Sequence, residues 1–183
     1  FGGVGARPVF GECHEAYFTV DVDQGKNRIT DKTRAIIPVH IYGQVADMEP
    51  LVALAAEHDL IIIEDAAQAQ GARYKEYLAG SVGHVGCFSF YPGKNLGGFG
   101  DGGLVTTDDN ELAGLVRMLL RHGGKDKYNV DHIGYNARLD TLQAAALLVR
   151  LQYVDQFNQK LRQIAGIYNQ DFSANTSIIT HQC

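Results

Sequence analysis

The order of apolar and polar positions predicts strands that alternate with helices. Aliphatic runs of the kind found in buried parallel strands occupy residues 34–39 and residues 60–63. Between them, Met48–His58 carries a stripe at the i, i+3, i+4 spacing of a helix that packs on a sheet, and Asp47 can cap this helix. The stripe consists of Leu51, Leu54 and Ala55. Successive strand–helix–strand units predict an α/β fold with a parallel sheet covered by helices.

The remaining pattern predicts further elements on either side of this unit. Residues 7–10 read as the entrance to a strand, residues 74–85 as a loop or hairpin, and residues 104–106 as a strand. Asp108 or Asp109 starts a helix with an apolar stripe, which a pair of glycines ends. The stripe and the glycines are Leu112, Leu115, Val116 and Leu119, and Gly123 and Gly124.

One further helical stretch, in two parts of different character, is expected near the end of the chain. The first part runs from about Asp140 and has few polar interruptions, so we expect it to be well buried. Residues 152–168 continue as a more amphipathic helix.

A glycine-rich stretch, CFSFYPGKNLGGFGDGGLVTT at residues 87–107, contains the single lysine Lys94. Glycine lets the backbone take positive φ and approach a ligand closely. Withdrawal of the amine from water in such a loop would favour the uncharged form, which attacks carbonyl groups. The alternative is a glycine-rich turn with a solvated lysine.

A carboxylate ends one of the predicted buried strands. Glu64 and Asp65 directly follow residues 60–63, and ligands of open α/β sheets bind beyond the carboxyl ends of strands, which places Asp65 well to meet a ligand. Together, Asp65 and Lys94 match the needs of pyridoxal 5'-phosphate, which forms a Schiff base with lysine and whose pyridine nitrogen is kept protonated by an acid. The alternative for Asp65 is a helix cap or turn carboxylate.

Three motifs in order closely resemble those of the DegT/DnrJ/EryC1/StrS family of sugar aminotransferases. They are IEDAAQAQG, SFYPGKNLGGFGDGG and GYNARLDTLQAA, and the resemblance extends over about residues 5–169. It implies the α/β large domain of a fold-type I pyridoxal-phosphate-dependent transferase, a mostly parallel sheet with helices on both faces and one antiparallel strand after the glycine loop. We expect a fold truncated at both ends. Residues 1–150 would form a partial cofactor-binding large domain, and residues 151–183 a linking helix and the start of a small C-terminal domain.

The resemblance implies a role for each matching residue. Lys94 would bind the cofactor covalently and Asp65 would pair with its pyridine nitrogen. Ala67 would lie against the ring, Gln68 would bind the phenolic oxygen, and Ser89 would bind the phosphate.

Two further segments match the family. Asn136 would reach from one subunit to the cofactor phosphate of its partner, which implies a homodimer with shared active sites. VHIYGQ places His40 and Tyr42 near cofactor and substrate, although a hydrogen-bonded structural role for His40 is favoured.

The implied reaction is transfer of an amino group from an amino acid, usually L-glutamate, to a nucleotide-linked keto sugar. Lysine rather than histidine at position 94 favours transamination over sugar dehydration, and the loop is closer to the subgroup that aminates C3 of deoxysugars. A non-catalytic or regulatory homologue and another pyridoxal-phosphate-dependent activity remain open.

The composition of the chain mainly argues against certain classes of protein and site. The net charge of −5 argues against a nucleic-acid surface, and no apolar run is long enough to cross a membrane. Cys13, Cys87 and Cys183 are widely spaced, as expected of reduced thiols in a cytoplasmic protein. The histidines and cysteines lack the spacing of metal ligands, so no metal is predicted.

Overall fold

The computed structural model describes residues 4–124, 126, 128–175 and 177–180. Its strands, in chain order, are β1 (Ala35–Ile36), β2 (Ile61–Asp65), β3 (Arg73–Tyr74), β4 (Tyr77–Leu78), β5 (Val85–Ser89) and β6 (Gly103–Thr106). A four-stranded sheet has the order β1-β2-β5-β6, with β1, β2 and β5 parallel and β6 antiparallel to β5. The predicted mostly parallel sheet, with an antiparallel strand after the glycine loop, is therefore confirmed. Strands β3 and β4 pair as a separate hairpin within the segment predicted to be a loop or hairpin.

The helices are α1 (Val22–Lys26), α2 (Met48–His58), α3 (Asn110–Leu119), α4 (Thr141–Leu151) and α5 (Val154–Phe172). Helix α2 has its predicted bounds. Asp109, the second of the two expected caps of α3, accepts hydrogen bonds from the N–H groups of Glu111 and Leu112 at 2.8 and 3.1 Å. A turn at Gln152 and Tyr153 separates α4 from α5, so the continuous helix expected there is two helices.

The start of α2 is capped indirectly. Asp47 occupies the N-cap position, but its carboxylate makes no capping bond to the backbone. Instead it accepts a hydrogen bond from the Tyr74 hydroxyl, which in turn accepts one from the N–H group of Glu49 at 3.3 Å. The expected cap is thus replaced by a two-step link from the β3–β4 hairpin.

The main core lies where α2 packs against β1 and β2. Its buried members are Val45, Ala46, Met48, Leu51, Ala55, Leu60, Ile62, Ala66, Ala69 and Ala79. A smaller cluster joins the two C-terminal helices to the glycine loop and consists of Phe90, Leu96, Leu147 and Val154.

Three expectations about burial and local structure are wrong. Residues 7–10 form no strand, and Val9 and Phe10 are exposed because no neighbouring strand pairs with them in the described chain. Helix α4 is largely exposed, with Leu142 at 85% accessibility, because only Leu147 contributes to a described core. Burial along β2 alternates, since one face packs against α2 while Ile61 on the other face is 41% exposed.

Candidate functional site

Parallel pairing brings the carboxyl ends of β1, β2 and β5 to one edge of the sheet. Val39 bridges to Asp65, and the N–H group of His40 donates to the carbonyl of Asp65 at 3.0 Å. On the other side, Asp65 is in register with Cys87 of β5. The segments that contain the residues predicted from the first two motifs therefore meet at this edge.

Asp65 begins a tight turn at the edge. Its Oδ1 atom accepts the N–H group of Ala67 at 3.1 Å, and the N–H group of Ala66 donates to the carbonyl of Cys87 at 2.8 Å. Asp65 is half-buried, and within the described chain its Oδ2 atom makes no hydrogen bond. One carboxylate oxygen thus has the turn role considered as an alternative, and the other is available for a ligand.

Burial raises the pKa of the Cys87 thiol, and the negative charge of Asp65 raises it further. The thiol beside Asp65 therefore stays protonated at neutral pH, which makes it a poor competitor of an amine for an aldehyde.

Gln68 is oriented by the segment that follows β1. Its Oε1 atom accepts the N–H group of Tyr42 at 2.8 Å, where the backbone is left-handed with φ 57°. The side-chain oxygen is thereby occupied, while the amide NH₂ makes no hydrogen bond to another described residue. Gln68 can therefore donate to an oxygen atom of a ligand. Tyr42 is 75% exposed at the same edge.

The Lys94 loop, defined here as residues 90–102, leaves the sheet directly after Ser89. The N–H group of Tyr91 donates to Ser89 Oγ at 3.2 Å, and the N–H group of Lys94 donates to the carbonyl of Tyr91 at 2.9 Å. A Cβ atom on Gly97 would lie 2.5 Å from the carbonyl oxygen of Pro92, so the compact turn requires glycine there. The Lys94 side chain is half-buried, and its Nζ atom forms no ion pair with any described residue.

His40 lies beneath the edge in a fully buried pair with Glu64. Its Nδ1 atom accepts the N–H group of Ala46 at 3.2 Å, so in the neutral ring Nε2 carries the proton and donates to Glu64 at 2.9 Å. With both ring nitrogens occupied inside the protein, the geometry supports the structural role of His40 over substrate contact.

Glu64 also binds the loop that precedes β5. It accepts N–H groups from Gly80, Val82 and Gly83 at 2.7, 2.7 and 2.6 Å. Burial alone raises the pKa of Glu64, but the bonds from His40 and these N–H groups outweigh burial and hold the pKa below its usual range. The carboxylate is therefore ionised at neutral pH.

Asn136 is not among the residues gathered at the edge. It is exposed, bridges to Arg121, and accepts a hydrogen bond from Arg138 Nε at 3.1 Å. Its contact with the cofactor phosphate of a partner subunit stays a prediction.

Sequence reasoning missed three amide side chains that join these segments. Gln70 Nε2 donates to the carbonyls of Ala67 and Ser89 at 3.2 and 2.7 Å. Gln143 Oε1 accepts the N–H group of Phe99 at 2.7 Å, and Asn158 on α5 bonds to Asn95 and Gln70. Gln70 and Gln143 lie within the quoted motifs, whereas only the tertiary structure reveals Asn158.

The described chain contains neither a cluster of metal-binding side chains nor a helix that could cross a membrane. No cluster of three or more histidine, cysteine, aspartate or glutamate residues in the described ranges could hold a metal ion. No helix in the described chain is both long and apolar enough to span a membrane. Lys125 and Lys127, which flank Asp126 in a charged stretch of the sequence, and the third cysteine, Cys183, lie outside the described residues.

Comparison with known proteins relates the chain to one family. The model of the DegT/DnrJ/EryC1/StrS aminotransferase family matches residues 3–183. A Streptomyces venezuelae protein named dTDP-3-amino-3,4,6-trideoxy-alpha-D-glucose transaminase is 50% identical over 90% of this chain and 43% of its own length. A Geobacillus stearothermophilus protein named pleiotropic regulatory protein is 47% identical over 90% of this chain and 44% of its own length.

The fold is also that of a solved structure. The structure of S. venezuelae DesV in complex with a ketimine intermediate superposes with a TM-score of 0.91 at 48% identity, over 94% of this chain and 47% of that chain. This similarity confirms the predicted fold class, and this chain spans less than half the length of these relatives. The chain belongs to the DegT/DnrJ/EryC1/StrS aminotransferase family.

Proposed function

We propose that the protein containing this chain is a pyridoxal-phosphate-dependent aminotransferase. It moves an amino group from an amino acid, L-glutamate in the simplest case, to a nucleotide-linked keto sugar. The observation that carries the proposal is the sheet edge where Asp65, Gln68 and Ser89 lie next to the Lys94 loop. The name of the Streptomyces venezuelae relative supports a 3-amino sugar as the product class.

The side chains at this edge fit the chemistry of the cofactor. Asp65 Oδ2 and the Gln68 NH₂ group make no hydrogen bonds to other described residues, and the Ser89 hydroxyl keeps a proton to donate. These groups offer an anionic acceptor for a pyridinium N–H, a donor for a phenolic oxygen and a donor for a phosphate. When bound, pyridoxal phosphate supplies an aldehyde that takes up amino groups and a ring that withdraws electrons.

Lys94 is the residue that holds and moves protons at the reacting carbon. Its Nζ atom would hold the cofactor through the aldehyde carbon while no donor is bound. As a free amine, Lys94 Nζ would take the α-proton of the donor and return a proton to the former aldehyde carbon of the cofactor, as a general base and acid.

The other residues hold the cofactor in place. Asp65 keeps a proton on the pyridine nitrogen, because a nearby negative charge favours the protonated form. Ala67 leaves room at the ring face, and Ser89 binds the phosphate together with Asn136 of a second subunit. We propose a homodimer on this basis, with residues 151–183 leading into a small domain.

The test is covalent trapping combined with an amination assay on the full-length product of the gene. Borohydride reduction should fix pyridoxal phosphate to Lys94, as read by peptide mass spectrometry, and Lys94→Ala should abolish both trapping and turnover. Lys160→Ala, which changes an exposed lysine of α5, is the matched control. Trapping on a different lysine would refute the assignment.

A regulatory role is the second candidate, because the Geobacillus stearothermophilus relative is named for regulation. The same experiment separates the two. A regulator without catalysis would show no glutamate-dependent amination of keto sugars linked to dTDP or UDP. Amino-acid decarboxylation or desulfuration without a sugar acceptor would instead indicate a different pyridoxal-phosphate-dependent activity.

A further inference from the structure

Asn158 is a buried polar residue on α5 that touches two of the segments forming the candidate site. We propose that Asn158 is a positioning residue, which holds the Lys94 loop in register with the turn formed by residues 65–70. This inference rests on the proposed function, because it assigns Asn158 a part in placing Lys94 relative to Asp65.

Both polar atoms of the Asn158 side-chain amide form hydrogen bonds, one as a donor and the other as an acceptor. Its Nδ2 atom donates to the carbonyl of Gln70 at 2.8 Å, and its Oδ1 atom accepts from Asn95 Nδ2 at 2.8 Å. Only 8% of Asn158 is accessible to solvent. Reversing the amide would set oxygen against the Gln70 carbonyl and NH₂ against the Asn95 NH₂, so the two bonds fix its orientation.

Each partner of Asn158 leads directly to a residue of the candidate site. Asn95 follows Lys94 in the chain, so holding its side chain restrains the backbone that carries the lysine. Gln70 extends the connection, because its Nε2 atom binds the carbonyls of Ala67 and Ser89. Asn158 thereby links the Lys94 loop, the turn formed by residues 65–70 and the end of β5.

Gln70 is a buried residue whose side chain contributes to this link. It is 5% exposed, and its Oε1 atom has no hydrogen-bond partner in the described chain. A buried oxygen without a hydrogen-bond partner destabilises the folded protein, so an apolar side chain would be more stable at this position. The presence of glutamine therefore indicates that the two hydrogen bonds from Nε2 are needed.

The backbone next to Gln70 is shaped to admit Asn158. Gly71 has φ +78°, and a Cβ atom there would lie 2.8 Å from Asn158 Nδ2. The close approach of α5 therefore requires glycine at position 71. Val154, one turn before Asn158, packs with Phe90 and Leu96 on either side of Lys94, so the apolar and polar contacts of α5 act on the same loop.

The experiment compares four single variants of the full-length protein and one double variant. Asn158→Ala removes both bonds, and Asn95→Ala removes only the bond to the loop. Asn158→Asp keeps the acceptor for Asn95 but opposes the Gln70 carbonyl with a second oxygen. Asn169→Ala is the matched control, because Asn169 is an exposed asparagine on the same helix.

The main readout is the pH titration of the absorbance of the Lys94-bound cofactor, with kcat and KM measured alongside. We expect Asn158→Ala, Asn158→Asp and Asn95→Ala to shift the titration midpoint, and to lower kcat about tenfold with little change in the KM of the donor, since misplacing a reacting group affects the chemical step. Combining Asn95→Ala with Asn158→Ala should add little, because both remove the same bond.

Variants that only lower the melting temperature, with a titration midpoint and kcat equal to those of Asn169→Ala, would overturn the proposal. If Asn158→Ala does not fold, Asn95→Ala decides. If the wild-type protein binds no cofactor, the proposed function is refuted, while the positioning role can still be tested. Hydrogen exchange of residues 90–102 then tests the positioning role: faster exchange in Asn95→Ala than in Asn169→Ala supports it, and equal exchange overturns it.

Discussion

Asp65 combines a structural contact with a proposed chemical role in one side chain. Because Oδ1 is held by the N–H group of Ala67, an Asp65→Asn variant can keep the turn while losing the negative charge that favours a protonated pyridine nitrogen. We expect this variant to retain pyridoxal phosphate but to lose roughly 10²–10⁴-fold in kcat, by analogy with the loss of a general acid or base. Asp171→Asn on exposed α5 is the control, and near-normal turnover of Asp65→Asn would contradict the assigned role.

Glu64 carries a buried negative charge beneath the sheet edge that forms the candidate site. Glu64→Gln would place an NH₂ group among four donors, which leaves some of the partners unsatisfied. We expect a loss of roughly 2–4 kcal/mol in the free energy of unfolding, as when one partner of a buried pair is removed. Urea unfolding at pH 7 measures it, with the exposed Glu57→Gln as control.

The loss of stability in Glu64→Gln should depend on pH, and the direction of this dependence can be derived. Because the folded pKa of Glu64 lies below the ordinary value of 4.5, its stabilisation is fully present above that value and is lost as pH falls through the folded pKa. The stability difference between wild type and Glu64→Gln should therefore shrink under acid. A constant difference from pH 7 to below pH 4 would contradict the ionised state.

The α2 helix depends on a neighbouring hairpin for its cap. Tyr74→Phe removes the hydroxyl that joins Asp47 to the N–H group of Glu49, and we expect it to lower the free energy of unfolding by about 1 kcal/mol. Tyr77→Phe is the matched control on the adjacent strand, since the Tyr77 hydroxyl makes no hydrogen bond within the described residues. Equal effects of the two substitutions would show that the link does not stabilise the helix.

Elements could be predicted from sequence where their determinants are local. The bounds of α2 follow from its apolar stripe and from Pro50 in its first turn, and the parallel pairing of β1 with β2 follows from the helix that connects them. The Tyr74 link and the partners of Glu64 could not be predicted, because they join segments 16 to 27 residues apart. Burial of α4 was overestimated because periodicity identifies an apolar face without showing what covers it.

At the scale of the whole molecule, the proposed shared site makes a complementation test possible. Asn136→Ala and Lys94→Ala subunits should each be inactive as homodimers. Random mixing should restore about a quarter of wild-type activity, because half of the dimers are mixed and each of these has one intact site. Activity of the purified variants and of their mixture after subunit exchange measures this.

Two results would contradict the shared site: full activity of Asn136→Ala alone, or no recovery on mixing. The exposed apolar residues of α4 and α5, among them Leu142, Leu148 and Ile167, give this test a physical basis, because apolar surface of this kind commonly marks contacts with further protein.

The contacts of Asn158 also bear on the order of folding. The β5–β6 pair that encloses the Lys94 loop joins residues close in sequence, such as Ser89 and Gly103, so its loop-closure entropy is small. The bonds from Asn158 close intervals of 63 and 88 residues. We therefore expect the Lys94 loop to form early in refolding, and the protein to become able to bind the proposed cofactor only in a later phase, when α5 docks.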